Sequence, residues 1–265
     1  MWAPLSSAGM SLDPFAAFRL DGQVVLITGT SSGLGARFAQ VLHAAGATVV
    51  MAARRLDRVE ALAATLPGSM ALSCDVANLD DCKTLVATTL ERCGRVDILV
   101  NNAGTVALAK PELEPMDEWR KVMAVNLDGA FHLSQLCALD MISRQQGGVM
   151  VNVASILGIV SSGRLPQASY AASKGALVNL TRELACLWAR NGIRVNALCP
   201  GFFDSELTQD LIDDEKGNSW LRKKTPMGRL GRAGELDGAL LYLASSASSY
   251  VTGTTLAVDG GWTAQ

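Results

Sequence analysis

Seven short apolar runs, separated by stretches with helical periodicity, mark the chain as an α/β protein. The expected architecture is a doubly wound parallel sheet of about seven strands in a single domain. The alternation persists from residue 24 to the C-terminal region with no linker and no internal repeat. The runs are β-branched and lack polar alternation, as in strands covered on both faces. The first of them ends in a glycine-rich turn that opens a helical pattern, the arrangement in which backbone N–H groups face an anion. With 265 residues, 49% of them hydrophobic, the chain can bury a substantial core. Residues 1–17 are expected to form an N-terminal tail and 18–265 the domain.

In chain order, Val24-Val-Leu-Ile27 is the first strand and Thr28-Gly-Thr-Ser-Ser-Gly33-Leu-Gly35 the turn, with a helix continuing through Phe38, Val41 and Leu42. Thr48-Val-Val-Met-Ala52 is the second strand. Ala53, Arg54 and Arg55 close it, before a helix through Leu62 and Leu66. The third strand covers 71–75 and ends at Asp75, followed by Val76 and a helix over 79–92. The fourth covers 96–100 and leads into Asn101-Asn-Ala-Gly104. Apolar spacing through Trp119, Val122, Leu127 and Leu133 predicts one long helix over 116–141. The fifth strand covers 148–153 and precedes Ser155. An Ala-rich helix around Tyr170 follows, with Leu177, Leu180, Leu184 and Leu187 along it. The sixth strand covers 194–199, ending in Pro200-Gly201. Residues 203–224 form a polar excursion, acidic and then basic, and a helix over 235–244 leads to a seventh strand at 255–258. Gly29, Asp75, Asn101, Ser155 and Pro200 all fall at the carboxyl ends of strands, where such sheets bind ligands.

Tyr170 and Lys174 are four apart and share a helix face. An unperturbed Tyr has a pKa near ~10, too high for ready proton exchange at neutral pH. A Lys⁺ about 4 Å away would favour the phenolate by roughly 4 kcal/mol, or about 3 pK units, at an effective dielectric of ~20. Taken alone, such a pair is more often an aromatic ring packed under an alkyl stem.

Composition excludes several classes of function. The net charge is −2, with no block of like charge, so no nucleic-acid footprint is expected. The six cysteines lack metal or redox spacing and read as buried free thiols of a reducing compartment. No secretory signal is evident, and the uncharged stretch 147–160 is too short and polar for a membrane span. A cytoplasmic location is expected.

Taken together, the glycine turn, Asp75, Asn101-Asn-Ala-Gly104, Asn126, Ser155, Tyr170-x-x-x-Lys174 and Pro200-Gly201 resemble the single-domain short-chain dehydrogenase/reductase family from about residue 20 onward. The resemblance implies a Rossmann fold and a set of roles. Tyr170 would exchange a proton with the substrate oxygen, and Ser155 would hold that oxygen. Lys174 would lower the Tyr170 pKa and bond the nicotinamide ribose. Asn126 would bind a water linking Lys174 to solvent. The cofactor would rest on Gly29, Ser31, Ser32, Gly33, Leu34 and Gly35, with Asp75, Val76, Asn102, Ala103 and Gly104 around the adenine. Pro200, Gly201, Phe203 and Ser205 would meet the nicotinamide. Three departures stand out. Ser155 and Tyr170 are 15 apart, a residue or two more than is usual, which lengthens a loop whose Arg164 is expected to turn toward the pocket. Cys199 replaces Asn before Pro-Gly, and Ser205 replaces Thr.

The implied function is hydride transfer between NADP(H) and a secondary alcohol/ketone pair, without a metal. Alternatives are reduction of an imine or another polarised double bond at the same site, or a cofactor-binding regulator with little activity. NADP(H) is favoured because Ala53 supplies no carboxylate where an acidic residue would hold the 2′-hydroxyl, while Arg54, and more weakly Arg55, would meet a 2′-phosphate. Ser32 stands where many NADP-dependent members carry a second basic residue. Phe202, Phe203 and Trp220 are read equally well as an apolar lid or as core. Phe131, Leu136, Leu177, Leu184 and Trp188 place apolar groups on more than one helix face, and the resemblance implies a homotetramer or homodimer.

Overall fold

The computed structural model describes residues 13–203 and 213–265. Seven strands pair in parallel: β1 (Val24–Thr28), β2 (Thr48–Ala53), β3 (Met70–Ser73), β4 (Ile98–Asn101), β5 (Gly148–Val153), β6 (Ile193–Pro200) and β7 (Thr255–Val258). Their order is β3-β2-β1-β4-β5-β6-β7. β1 is flanked by β2 and by β4, so the direction in which strands are added reverses there and a crevice opens beyond their carboxyl ends.

Each strand feeds two cores. Val25 and Ile27, Met51, Val100 and Val151 face one side, packing on Phe38 and Leu42 of α1 (Gly33–Ala44), Val59 of α2 (Leu56–Ala63) and Leu240 and Leu243 of α8 (Asp237–Ala244). Val24, Leu26, Val50, Leu99 and Met150 face the other side. There they meet Leu85 of α3 (Leu79–Cys93), Leu133 and Met141 of α5 (Gly129–Arg144) and Leu184 of α6 (Ala168–Trp188). The apolar runs lack alternation because both faces are covered. A fully buried Leu or Ile contributes roughly 1.5–3 kcal/mol, so the sheet is the rigid part on which the site is mounted.

One polar chain crosses this second layer. Asn101 Nδ2 donates to Asn152 Oδ1 (2.9 Å), to Ser134 Oγ (3.0 Å) and to the Ala130 carbonyl (3.2 Å), and Asn152 Nδ2 donates to Thr181 Oγ1 (2.9 Å). All four of these side chains are buried. They fix α5 and α6 against β4 and β5 with directional bonds, which apolar packing alone lacks.

Several expectations need correction. The stretch 116–141 is not one regular helix. α4 (Met116–Met123) passes through a π-helical segment, Ala124–Asp128, into α5, which runs on to Arg144. The wider segment lets Asn126 reach Thr105 and Ser173, while Gly129 passes so close to Val76 that a Cβ would collide with its carbonyl oxygen. The excursion after Phe203 contains a helix, α7 (Glu215–Lys224). Asp214 accepts from the Gly217 amide (2.7 Å) at its start, and Leu221 is its buried anchor. The last predicted helix begins as a 3-10 turn, Ala233–Leu236. Leu177 and Leu184 are core, and Leu136 and Trp188 pack against it. Of the five residues read as lying on more than one helix face, Phe131 stays open. Cys186 is exposed and Cys93 half-buried, whereas the other four thiols are buried as expected. Residues 1–12 of the expected tail lie outside the described residues. Ala16–Phe18 form one 3-10 turn, to which Ser246 Oγ donates at Ala17 O (2.9 Å). Among the described residues no helix is long and apolar enough to cross a membrane.

Candidate active site

The crevice at the sheet's carboxyl edge is a cleft of about 740 Å³. At one end lies the glycine turn. Gly29 has φ +73°, and a Cβ at Gly35 would collide with the Gly29 carbonyl oxygen, so the helix can start this close to the strand only with glycine there. α1 starts without a side-chain cap: its N-cap residue, Ser32, makes no cap bond. α3, by contrast, is capped by Asn78, which accepts from the Asp80 and Asp81 amides. The first turn of α1, Gly33 to Gly35, lines the cleft with no capping side chain among the described residues, and free first-turn N–H groups are the donor set a phosphate takes. These residues fit a dinucleotide.

Arg54 and Arg55 rim the cleft beside this turn. Arg55 reaches across it, donating from Nη2 to Ser31 Oγ and Ser32 Oγ (both 2.9 Å). Asp75 also lines the cleft while serving as a turn former, accepting from the Ala77 amide (3.1 Å). The stretch after β4 is tied to β1: Thr28 Oγ1 accepts from the Asn102 and Ala103 amides (3.2 and 3.1 Å), and Asn102 Nδ2 donates to Thr28 O (2.9 Å). Asn102 therefore acts on the site through its backbone.

At the other end stand Ser155, Tyr170 and Lys174, brought together from β5 and α6. Ser155 Oγ accepts from the Leu157 amide (3.1 Å), which orients it at the strand end. Lys174 is 3% exposed, and its Nζ donates to Val153 O (2.8 Å). Burial lowers the Lys174 pKa to about 8. Burial likewise raises the Tyr170 phenol above its usual value, opposed by a hydrogen bond with Ser155. This direction is opposite to the lowering by Lys174 that the resemblance implies. The ammonium lies 5.7 Å from the ring centroid.

Asn126 is buried below the cleft. Its Oδ1 accepts from the Thr105 amide (2.8 Å), and its Nδ2 donates to Thr105 O (2.9 Å) and Ser173 Oγ (3.0 Å). Both Nδ2 hydrogens are thus engaged, and Oδ1 keeps one lone pair. Gly201 closes β6, its N–H donating to Val258 O (2.9 Å). Phe203 is buried against Gly231, and Ser205 lies outside the described residues.

The sequence left four participants unnamed. Thr105 and Ser173 hold Asn126, and Lys121 lines the cleft from α4. Trp262 joins Phe202 and Trp220, with ring centroids 5.0 and 5.5 Å away. These rings form one apolar cluster with Ile156, Leu157 and Tyr170, so Phe202 and Trp220 pack into a cluster beside the Tyr170 ring. Only the Trp262 placement had a local signal. In Asp259-Gly-Gly-Trp262, Asp259 accepts from the Gly261 and Thr263 amides and turns the ring inward. No group of three or more His, Cys, Asp or Glu among the described residues is placed to hold a metal.

Comparison with known proteins agrees with this geometry. A family model described as enoyl-(acyl carrier protein) reductase matches residues 29–263. A galactitol 2-dehydrogenase (L-tagatose-forming) from Cereibacter sphaeroides is 41% identical over 256 residues, covering 95% of this chain and 99% of its own. A 2-dehydro-3-deoxy-D-gluconate 5-dehydrogenase from Escherichia coli is 36% identical, with 94% and 99% covered. The crystal structure of a gluconate 5-dehydrogenase from Burkholderia cenocepacia in complex with NADP and tartrate superposes with a TM-score of 0.90. It is 39% identical, covering 96% of this chain and 100% of that one.

Proposed function

The chain belongs to the short-chain dehydrogenase/reductase family, and on that premise we propose that it transfers a hydride between NADP(H) and a secondary alcohol/ketone pair, with Tyr170 as general acid/base. The observation that carries this is the cleft itself. An uncapped helix N-terminus lies at one end, and Ser155, Tyr170 and Lys174 converge at the other. The sugar-derived substrates of the relatives support a polyhydroxylated substrate here.

The bound nicotinamide would supply or accept the hydride. The chain handles the proton. A phenol with a raised pKa is protonated at neutral pH, which suits donation to the oxygen of a ketone being reduced. Ser155 Oγ holds that oxygen as negative charge develops on it. Lys174, mostly protonated at pH 7 with its pKa near 8, offers charge beneath the same atoms. In the oxidative direction Tyr170 must first lose its proton, so alcohol oxidation should gain from alkaline pH. Asn126 holds Thr105, and with it the main chain beside Gly104, over Lys174. Arg54 and Arg55 replace the carboxylate that would repel a 2′-phosphate, which favours NADP(H). Asp75, Val76 and the Asn102–Gly104 stretch flank the adenine half, with Pro200, Gly201 and Phe203 at the nicotinamide. The protein assembles as a homotetramer or homodimer.

The test is Tyr170→Phe. kcat should fall by ~10²-fold or more, while the dissociation constant of the cofactor changes little. Near-normal turnover would remove Tyr170 from the mechanism.

A further inference from the structure

The loop between β5 and α6 carries a guanidinium that the reaction above does not use. The loop is well braced. Buried Ser162 Oγ accepts from the Arg164 and Leu165 amides (3.3 and 2.9 Å), and Gly163 takes φ +70° between them. On the far side the Ala109 amide donates to Pro166 O (2.9 Å). Between these two fixed points the Arg164 guanidinium carbon stands 5.1 Å from the centroid of the Trp220 ring. Trp220 packs edge-on to Phe202 (6.3 Å) and Trp262 (5.5 Å), in the cluster that also holds the Tyr170 ring. The cation therefore stands on the aromatic cluster into which the Tyr170 ring also packs.

Its hydrogen-bonding edge has no carboxylate within ion-pair distance among the described residues. Stacking on an indole uses the face of a guanidinium and leaves its fork of N–H donors free. That fork matches a carboxylate with two parallel bonds. We propose that Arg164 is the anchor for a substrate carboxylate, so that the preferred substrate is a polyhydroxylated acid rather than a neutral polyol. This rests on the secondary alcohol/ketone reading above and names its substrate class. Trp220 contacts the guanidinium and the two loop contacts brace its backbone, so less ordering is needed when the acid binds.

Arg164→Gln and Arg164→Lys test the assignment, each assayed with D-gluconate and with its neutral counterpart D-glucitol. Gluconate binding to the cofactor-loaded protein is measured separately by calorimetry. Losing a charge-assisted pair should raise the gluconate KM and dissociation constant about ten- to a hundredfold in Arg164→Gln. kcat should stay within about threefold and glucitol kinetics should not change, while Arg164→Lys recovers part of the loss. An equal loss for both substrates, unchanged gluconate binding, or a wild type that binds no gluconate overturns the anchor. Failure to turn over either substrate, with gluconate binding still dependent on Arg164, would instead refute the reaction and leave the anchor standing.

Discussion

Arg54 and Arg55 are adjacent in sequence but differently placed. Arg55 already spends its donors on Ser31 and Ser32, bracing the glycine turn. Arg54 lines the cleft with no ion pair among the described residues, so its charge is available to a 2′-phosphate. A charge-assisted bond of about 1.5–3 kcal/mol corresponds to a preference of roughly ten- to a hundredfold for NADP(H). Arg54→Ala should erase most of it and leave NAD(H) kinetics nearly unchanged, as read from kcat/KM with both cofactors. A wild type that favours NADH, or an unchanged ratio in the variant, refutes the role. Lys174 makes a second, pH-dependent prediction. Its folded pKa of about 8 lies below its ordinary value of 10.5. Between those values the unfolded chain holds a proton that the folded chain has released, so this group's contribution to stability rises with pH across that window. Below pH 8 the buried charge costs folding on the order of 3 kcal/mol at most. Lys174→Met removes the titration. Its stability relative to wild type, measured by urea unfolding, should therefore decline as pH climbs from 8 to 9.5. A flat difference means that Lys174 does not titrate there.

Legibility differed among the elements for physical reasons. β1, the glycine turn and α1 were readable because local chemistry determines all three: a β-branched run, a residue at φ +73° and an amphipathic stretch. Tyr170 and Lys174 were readable because four residues is one helical turn. The π segment at 124–128 was not, since nothing in its apolar spacing distinguishes it from α-helix. It exists because Asn126 must meet Thr105 and Ser173, partners 21 and 47 residues away. α7 was hidden by its polarity, with Leu221 nearly alone as an anchor. Yet its acidic start at Asp214 and Glu215 and basic end at Arg222, Lys223 and Lys224 are the order the helix dipole favours. The raised Tyr170 pKa escaped the sequence because the i,i+4 argument counted charge and could not count burial. Trp262 escaped it because that ring meets Phe202 and Trp220 only after the chain returns past β7.

At the scale of the whole molecule, part of the apolar surface that folding leaves open lies on α5 and α6. On α5, Phe131, Leu139 and Ile142 lie within one stripe, 37%, 69% and 37% exposed, and Leu187 on α6 is 61% exposed. Leu177 and Leu184 belong to the face that packs on the sheet. Leu139, Ile142 and Leu187 lie toward the C-terminal ends of the two helices, and Phe131 near the start of α5. A two-fold contact would lay α5 and α6 on the same pair of a second copy, because an isologous interface must use one patch twice. A stable interface of this kind covers about 800 Å² per partner, which two helices can supply. This surface also bears on activity, since α6 carries Tyr170 and Lys174 and a neighbour clamped on its outer face would hold it against β5. Sedimentation at micromolar concentration should therefore give a tetramer or dimer. Leu139→Glu with Leu187→Glu should shift it to monomer by placing like charges opposite each other at the two-fold. A wild-type monomer, or an assembly that ignores both charges, would place the interface elsewhere or nowhere.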